Sequence, residues 1–227
     1  MNKIRNLSML QDYLDGEFSW RIKEIANLKL SICGIERKII IKTLIRPAIP
    51  LLYAHWEGFV KNASMSYVNF VDCQGLRYSE LSYCFVVFGL KKKLSEVAQS
   101  KKSHINVAAI EFLLSELSSR AQLKIESAIN TESNLNSKVF ANIALSIGID
   151  PAAYETRYNL IDESLLGRRN NIAHGEYLDL SAGELRNLAE EIIGLLRQYK
   201  TDIENAAAMN KFKRDTPDCM TGLVMIT

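Results

Sequence analysis

The stretch SAGELRNLAEEIIGLLRQYKTDI, residues 181–203, carries the clearest structural signal in this chain of 227 residues. Its apolar residues recur every three or four positions, which is the spacing of one face of an α-helix. Ser181 and Glu184 form the pattern that caps a helix at its N-terminus. The stretch predicts a long helix that begins after Ser181 and buries one stripe: Leu185, Leu188, Ile192, Leu195, Leu196, Tyr199 and Ile203.

Four other segments show the same spacing, and each predicts a helix. Pro47 and Pro50 fall where the second of these helices would begin, and proline is tolerated in a first turn because the N–H groups there have no partner within the helix. Gly148, with Pro151 just beyond it, is typical of a helix end. The four apolar stripes run from Ile22 to Ile32, from Ile49 to Ala63, from Ile110 to Ala121 and from Val139 to Ile147.

With four prolines and eleven glycines, the chain has few of the residues that the many turns of a β-rich protein need. The sequence therefore predicts an all-α helical bundle, with one domain over residues 1–209 and a tail, residues 210–227, of uncertain structure. Residues 129–137 are polar and predict a loop. Residues 76–98 stay open, because their apolar run at 83–88 fits a buried helix as well as a strand.

The composition is that of an ordinary soluble globular protein, since 48% of the residues are hydrophobic and 24% are charged. The formal net charge is only +2, so a nucleic acid would have to be bound by a local basic patch. The lysines at 91–93 and 101–102 are the best local candidates, although such runs are usually solvated surface. The N-terminus has no apolar run of the signal-peptide type, and no stretch approaches the ~20 apolar residues of a membrane span.

The cysteines and histidines form no metal-binding pattern. No two cysteines have the CxxC spacing of zinc or redox sites, and the histidines are equally scattered. We therefore expect free thiols, no metal or other cofactor, and a cytoplasmic location. The residues concerned are Cys33, Cys73, Cys84, Cys219, His55, His104 and His174.

The segment IDESLLGRRNNIAHG, residues 161–175, combines apolar residues with groups that could carry chemistry. It predicts a short helix from about Tyr158 to His174, ended by Gly175. On a helix that turns about 100° per residue, Arg169 falls inside the apolar arc. Burying an unpaired guanidinium is costly, so a partner carboxylate or a bound phosphate is expected to compensate its charge. The arc consists of Ile161, Leu165, Leu166, Ile172 and Ala173.

Asn170 and His174 are spaced i, i+4 and share a neighbouring face of this helix. His174 lies in the last turn, where the helix dipole favours the charged imidazolium, and a histidine that titrates near neutral pH suits general acid–base catalysis. Arginine suits bidentate binding of phosphate. The three groups would fit a phosphodiester substrate. An ion pair and a helix cap would account for the same residues without any chemistry.

Two stretches resemble motifs of HEPN ribonucleases. The run from Arg169 to Gly175 resembles their Arg-x4-6-His motif, including the polar residue that commonly follows the arginine. The run LYAHWEGFVK, residues 52–61, looks like the second-helix motif of the MAE-type HEPN branch. The long capped helix after the Arg-x4-6-His motif also matches that branch, and the resemblance covers roughly residues 20–207.

The resemblance implies a helical bundle that forms a two-fold homodimer, with two Arg-x4-6-His motifs meeting in a cleft. Many such proteins are toxins or antiviral effectors that cut RNA without a metal. Arg169 would hold the scissile phosphate, His174 would move protons, Asn170 would support the site, and Glu57 would help to orient it. In HEPN toxins that their antitoxin nucleotidylates, a tyrosine stands two residues after the histidine. This chain has Glu176 there, so we do not expect that regulation.

We interpret the chain as a metal-independent endoribonuclease that acts on RNA as a homodimer, with a possible cognate antitoxin or defence-system partner. Two other interpretations stay open: a non-catalytic HEPN module that binds RNA, nucleotide or a protein, and a structural dimeric adaptor. Glu57 could equally form an ion pair, for example with Arg169. We expect His55 to be structural. The basic residues at 211–214 could contact RNA, although a disordered end is the plainer interpretation.

Overall fold

The computed structural model describes residues 3–33, 38–89, 102–123 and 129–214. Within these ranges the chain is helical and forms no strand, only two isolated β-bridges, which confirms the predicted all-α class. The α-helices are α1 (Leu7–Cys33), α2 (Lys38–Cys73), α3 (83–89), α4 (Ser103–Glu116), α5 (Ser137–Ser146), α6 (Arg168–Ala173) and α7 (Ala182–Ala208). Two 3-10 helices (Tyr78–Glu80 and Pro151–Arg157) and a π-helix (Leu160–Gly167) complete the fold.

The three long helices α1, α2 and α7 pack on one another and enclose the core. All seven residues of the predicted α7 stripe are buried, and the predicted cap is present: the Ser181 hydroxyl accepts the Glu184 N–H at 3.2 Å, and the Glu184 carboxylate accepts the Ser181 N–H at 2.9 Å. Aromatic rings join α5 to this core. The Phe140 ring lies 5.1 Å from that of Trp56 and 5.4 Å from that of Tyr199, between centroids.

The predicted start of α2 is wrong. The helix begins at Lys38, and both Pro47 and Pro50 lie inside it. A proline in a helix interior costs about 3 kcal/mol, because it removes a hydrogen bond and its ring crowds the preceding turn. The apolar side chains that flank the prolines on this helix are buried: Ile45, Ile49, Leu52 and Phe59. Burying each contributes about 1.5–3 kcal/mol, so together they offset the cost of the two prolines.

The helix predicted around Ile110 is present as α4, but it ends at Glu116, so Ala121 lies outside it. The backbone beyond this end bonds to another segment instead: the carbonyls of Leu117 and Ser119 accept the N–H groups of residues 79 and 78. Part of the stripe is not core, since Ile110 is 51% exposed and Leu114 is 64% exposed.

The segment 76–98, for which the sequence favoured neither helix nor strand, is helical over residues 83–89, while residues 90–98 lie outside the described residues.

The predicted loop at 129–137 is confirmed up to Asn136, whose side chain accepts the Val139 N–H at 2.8 Å and caps α5. Gly148 ends α5 with a φ of 75°, as predicted.

The chain does not leave the core at Asn210. Phe212 is buried, its carbonyl accepts the Ser82 N–H at 2.8 Å, and the Arg214 N–H donates to the Glu80 carbonyl at 2.9 Å. Residues 215–227 lie outside the described part, and the domain boundary at 209 stays a prediction. Among the described helices, none is long and apolar enough to cross a membrane.

Candidate active site

The candidate residues lie at the C-terminal end of a helical segment with an unusual winding. The predicted helix from Tyr158 to His174 is helical up to Ala173, but Leu160–Gly167 is a π-helix and Arg168–Ala173 is a regular α-helix. A π-helix bonds five residues back and winds more widely than an α-helix, so residues beyond it leave the arc that α-helical spacing predicts. Ile161, Leu165 and Leu166 are buried as expected, Ile172 is partly buried, and the placing of Ala173 in the arc is wrong because Ala173 is exposed.

Arg169 is half-buried, and uncharged side chains offset the free-energy cost of removing its guanidinium from water. Its Nη1 donates to the Asn134 side-chain oxygen at 3.1 Å and to that of Asn170 at 2.8 Å. The centre of its guanidinium lies 4.9 Å from the centroid of the Tyr53 ring, in a cation–π contact. Within the described residues no carboxylate forms an ion pair with Arg169, so the expected partner carboxylate is not present there, and the alternative pair with Glu57 is not formed.

Tyr53 connects α2 to the site. Its hydroxyl accepts the Leu135 N–H at 2.6 Å. Burial raises the pKa of Tyr53 to about 12, and Glu57 raises it as well. The hydrogen bond from Leu135 and the positive charge of Arg169 act in the opposite direction and lower this pKa. The hydroxyl therefore stays protonated near neutral pH and is no candidate for a general base. Glu57 is electrostatically coupled to the site through Tyr53 rather than through a direct pair with Arg169.

His174 follows the last residue of α6 and is exposed. Its backbone N–H donates to the Asn170 carbonyl at 2.9 Å, and Gly175 ends the helix with a φ of 81°. The imidazole makes no hydrogen bond or ion pair with any residue in the described part of the chain. The Asn170 side-chain oxygen accepts a hydrogen bond from Arg169, and the supporting role of Asn170 stays a prediction.

Arg46 on α2 is a site neighbour that sequence reasoning missed. Its Nη1 donates to the carbonyl of Glu176, two residues after His174, at 2.6 Å. Since Tyr53 contacts Arg169 and Arg46 contacts Glu176, α2 runs antiparallel to the segment 169–176. The spacing of seven between Arg46 and Tyr53 puts both on one helix face, a signal that was present in the sequence. No pattern in the sequence points to Asn134, because this residue lies in an irregular loop.

His55 lies elsewhere, as we expected for a structural histidine. It is 2% exposed, its Nε2 is 3.1 Å from a Glu24 carboxylate oxygen, and its ring packs edge-on against Trp20 of α1. Burial lowers the pKa of His55, outweighing the opposite effect of Glu24, while Arg21 adds to the lowering. The structure thus places His55 between α1 and α2, in contact with neither Arg169 nor His174.

The basic residues proposed for RNA contacts are only partly described. The lysines at 91–93 and Lys101 lie outside the described residues, whereas Lys102, Lys211 and Lys213 are exposed. The guanidinium of Arg214 stacks over the Tyr83 ring at 4.3 Å. Whether any of them binds RNA stays a prediction.

A helical chain that presents an arginine and a histidine on one short helix has the arrangement expected of HEPN proteins. The family model described as RiboL-PSP-HEPN matches residues 17–205, and the chain therefore belongs to this HEPN family. Membership indicates a nuclease or an RNA-binding module. No curated protein and no solved structure was found to match the chain. The narrower assignment to the MAE-type branch is not confirmed and stays a prediction.

Proposed function

We propose that this protein is an endoribonuclease that cleaves RNA without a metal ion, with Arg169 and His174 as its catalytic residues. The observation that carries the proposal is the state of Arg169: its guanidinium is half-buried, is held by neutral partners, and lies five residues before an exposed histidine. An arginine whose charge no carboxylate cancels is suited to bind an anion, and the phosphodiester of RNA supplies one. Membership of a HEPN family supports this substrate class.

In the proposed reaction the 2′-hydroxyl of RNA attacks the adjacent phosphorus. His174 takes the proton from the attacking oxygen, the bond between phosphorus and the 5′-oxygen breaks, and a histidine returns a proton to the leaving 5′-oxygen. Arg169 stabilises the charge that builds on the phosphoryl oxygens. Asn170 holds Arg169, and Glu57 acts on it through Tyr53. The products carry a 2′,3′-cyclic phosphate and a 5′-hydroxyl.

We further propose that the active form is a two-fold homodimer, in which the histidines of two copies approach each other and differ in protonation. A cytoplasmic toxin or antiviral effector, with a cognate antitoxin or defence-system partner, is the biological setting that we propose.

The test is the chemistry of the product. Purified protein should cut RNA in the presence of EDTA, should leave DNA intact, and should fail at a nucleotide whose 2′-hydroxyl is replaced by hydrogen or methoxy. Mass spectrometry of the fragments should show 2′,3′-cyclic phosphate ends. Fragments with 3′-hydroxyl and 5′-phosphate ends, or loss of cleavage in EDTA, would contradict the mechanism even if the protein proved to be a nuclease.

The second candidate is a non-catalytic module that binds RNA, nucleotide or a protein partner through the same residues. One observation favours it: no described residue orients the imidazole of His174 by a hydrogen bond, and binding needs Arg169 alone. The two candidates differ in the wild-type protein incubated with a cleavable RNA. A binding module would bind this RNA without cutting it, and would lose its affinity when Arg169 is changed.

A further inference from the structure

Two arginines of this chain are desolvated in different ways. Arg21 of α1 is 3% exposed, and its Nη1 donates to the Glu17 carboxylate at 2.8 Å, so a negative charge cancels its own. Arg169 is half-buried, and its acceptors are two amide oxygens. The first arrangement is that of a structural ion pair. The second arrangement orients a guanidinium while leaving its positive charge uncancelled.

Asn134, one of those two acceptors, is presented by a loop that other contacts hold in place. The next residue, Leu135, is buried, and its N–H donates to the Tyr53 hydroxyl at 2.6 Å. Two residues later, the N–H and hydroxyl of Ser137 both donate to the Asp162 carboxylate, at 2.6 and 2.5 Å. The loop is thereby fixed to α2 on one side and to the π-helix on the other.

The backbone just before Asn134 has an unfavourable conformation. Glu132 and Ser133 have φ angles of 55° and 58°, in the left-handed region that residues with a Cβ rarely adopt. Such positions are unfavourable and persist where the surroundings determine them. The Asn134 N–H closes this turn on the Thr131 carbonyl at 3.1 Å. The tight turn and its anchors together aim the Asn134 side chain at Arg169.

We propose that Asn134 is a positioning residue for Arg169, which fixes the guanidinium through a neutral acceptor so that its full charge faces the scissile phosphate. This inference rests on the proposed ribonuclease function and deepens it. It explains why the acceptor is an amide. An aspartate could accept the same hydrogen bond, and more strongly, but its charge would bind the guanidinium in competition with the phosphate and would repel the substrate.

The substitution Asn134→Asp separates a positioning role from a structural one. It keeps the size of the side chain and the acceptor oxygen, so a purely structural bond would be preserved or strengthened. The matched control is Asn130→Asp in the same loop. The Asn130 side chain accepts only the Glu132 N–H, at 2.9 Å, a bond that a carboxylate also accepts, and the variant adds the same charge without contacting Arg169.

The experiment measures the melting temperature, the Kd for an RNA with 2′-methoxy groups, and kcat and KM for a cleavable RNA. We expect Asn134→Asp to melt at or above the wild-type temperature, yet to lose about tenfold or more in affinity and in kcat/KM, and the control to match the wild type. A tenfold loss corresponds to about 1.4 kcal/mol. Asn134→Ala removes the hydrogen-bond acceptor of Arg169, so this variant should lose activity without gaining stability.

If Asn134→Asp binds and cleaves as the wild type does, the positioning role is overturned while the proposed function stands. If both aspartate variants lose activity equally, the effect is one of added charge alone and the positioning role is again overturned. A wild-type protein that binds RNA without cutting it would overturn the proposed reaction, and the affinities would still decide the role of Asn134. A wild-type protein that neither binds nor cuts RNA would overturn both proposals.

Discussion

His174 is the single residue on which the proposed chemistry depends most directly. It stands where α6 ends, it is exposed, and its imidazole makes no hydrogen bond or ion pair with the described residues. A proton-transferring group must reach the substrate, and exposure at a helix end allows this. The same exposure means that the fold does not depend on the imidazole, so function and stability can be separated at this position.

We therefore predict that His174→Ala abolishes RNA cleavage and changes the free energy of unfolding by no more than about 1 kcal/mol. Cleavage assays and urea denaturation of the same preparation measure the two effects. The control is His104→Ala, which removes an exposed histidine of α4 and should leave both quantities unchanged. Full activity of His174→Ala would show that another group moves the protons.

At the scale of the elements, the contact between α1 and α2 includes a buried polar cluster that the sequence did not reveal. Arg21 is inserted beside α2, where its guanidinium lies 5.6 Å from the Phe59 ring centroid. The Glu17 carboxylate accepts hydrogen bonds from Arg21 and from Asn62 of α2, the latter at 2.7 Å. A Cβ at Gly58 would lie 3.2 Å from the guanidinium, so glycine gives Arg21 the room it needs.

We predict that Glu17→Ala destabilises the protein by about 3 kcal/mol, because it leaves the buried charge of Arg21 unpaired. The matched control is Glu191→Ala, which breaks the ion pair of Glu191 with Arg157. Both partners of that pair are more than 40% exposed, so its loss should cost less than about 1 kcal/mol. Urea denaturation measures both values. Equal losses in the two variants would contradict the distinction between buried and exposed pairs.

At the scale of the whole molecule, the candidate site lies at the surface and not inside the bundle. The residues from Ala173, the last of α6, to Tyr177 are exposed, and Tyr177 is 76% exposed. A site of this kind can be completed by a second copy of the chain, and a two-fold axis beside it would bring His174 close to its symmetry mate.

We predict a dimer at micromolar concentration whose activity needs both histidines. Sedimentation should give the mass of two chains. In dimers formed by co-expression of wild-type and His174→Ala chains, activity should fall as the square of the wild-type fraction, because a base and an acid are both required. A fully active monomer, or activity that falls linearly with that fraction, would refute the shared site.

Local sequence patterns were enough to predict the features that depend on residues close together along the chain. The all-α class, the cap and buried stripe of α7, and the ends of helices at Gly148 and Gly175 follow from periodicity and from the conformational freedom of glycine. The presence of Arg169 and His174 on one short helical segment could also be predicted. Each of these features is decided by residues within a few turns of one another.

Only the tertiary structure decided the features that depend on which segments meet. Burial of its apolar side chains carries α2 through two prolines that locally indicate a helix start. On α4, Ile110 and Leu114 are exposed, although their spacing resembles that of a core face. Asn134 and Tyr53 hold Arg169, although they are 35 and 116 positions away from it in the chain. A hydrogen bond or a ring contact between distant segments leaves no periodic trace in the sequence, because it is fixed by the packing of whole helices.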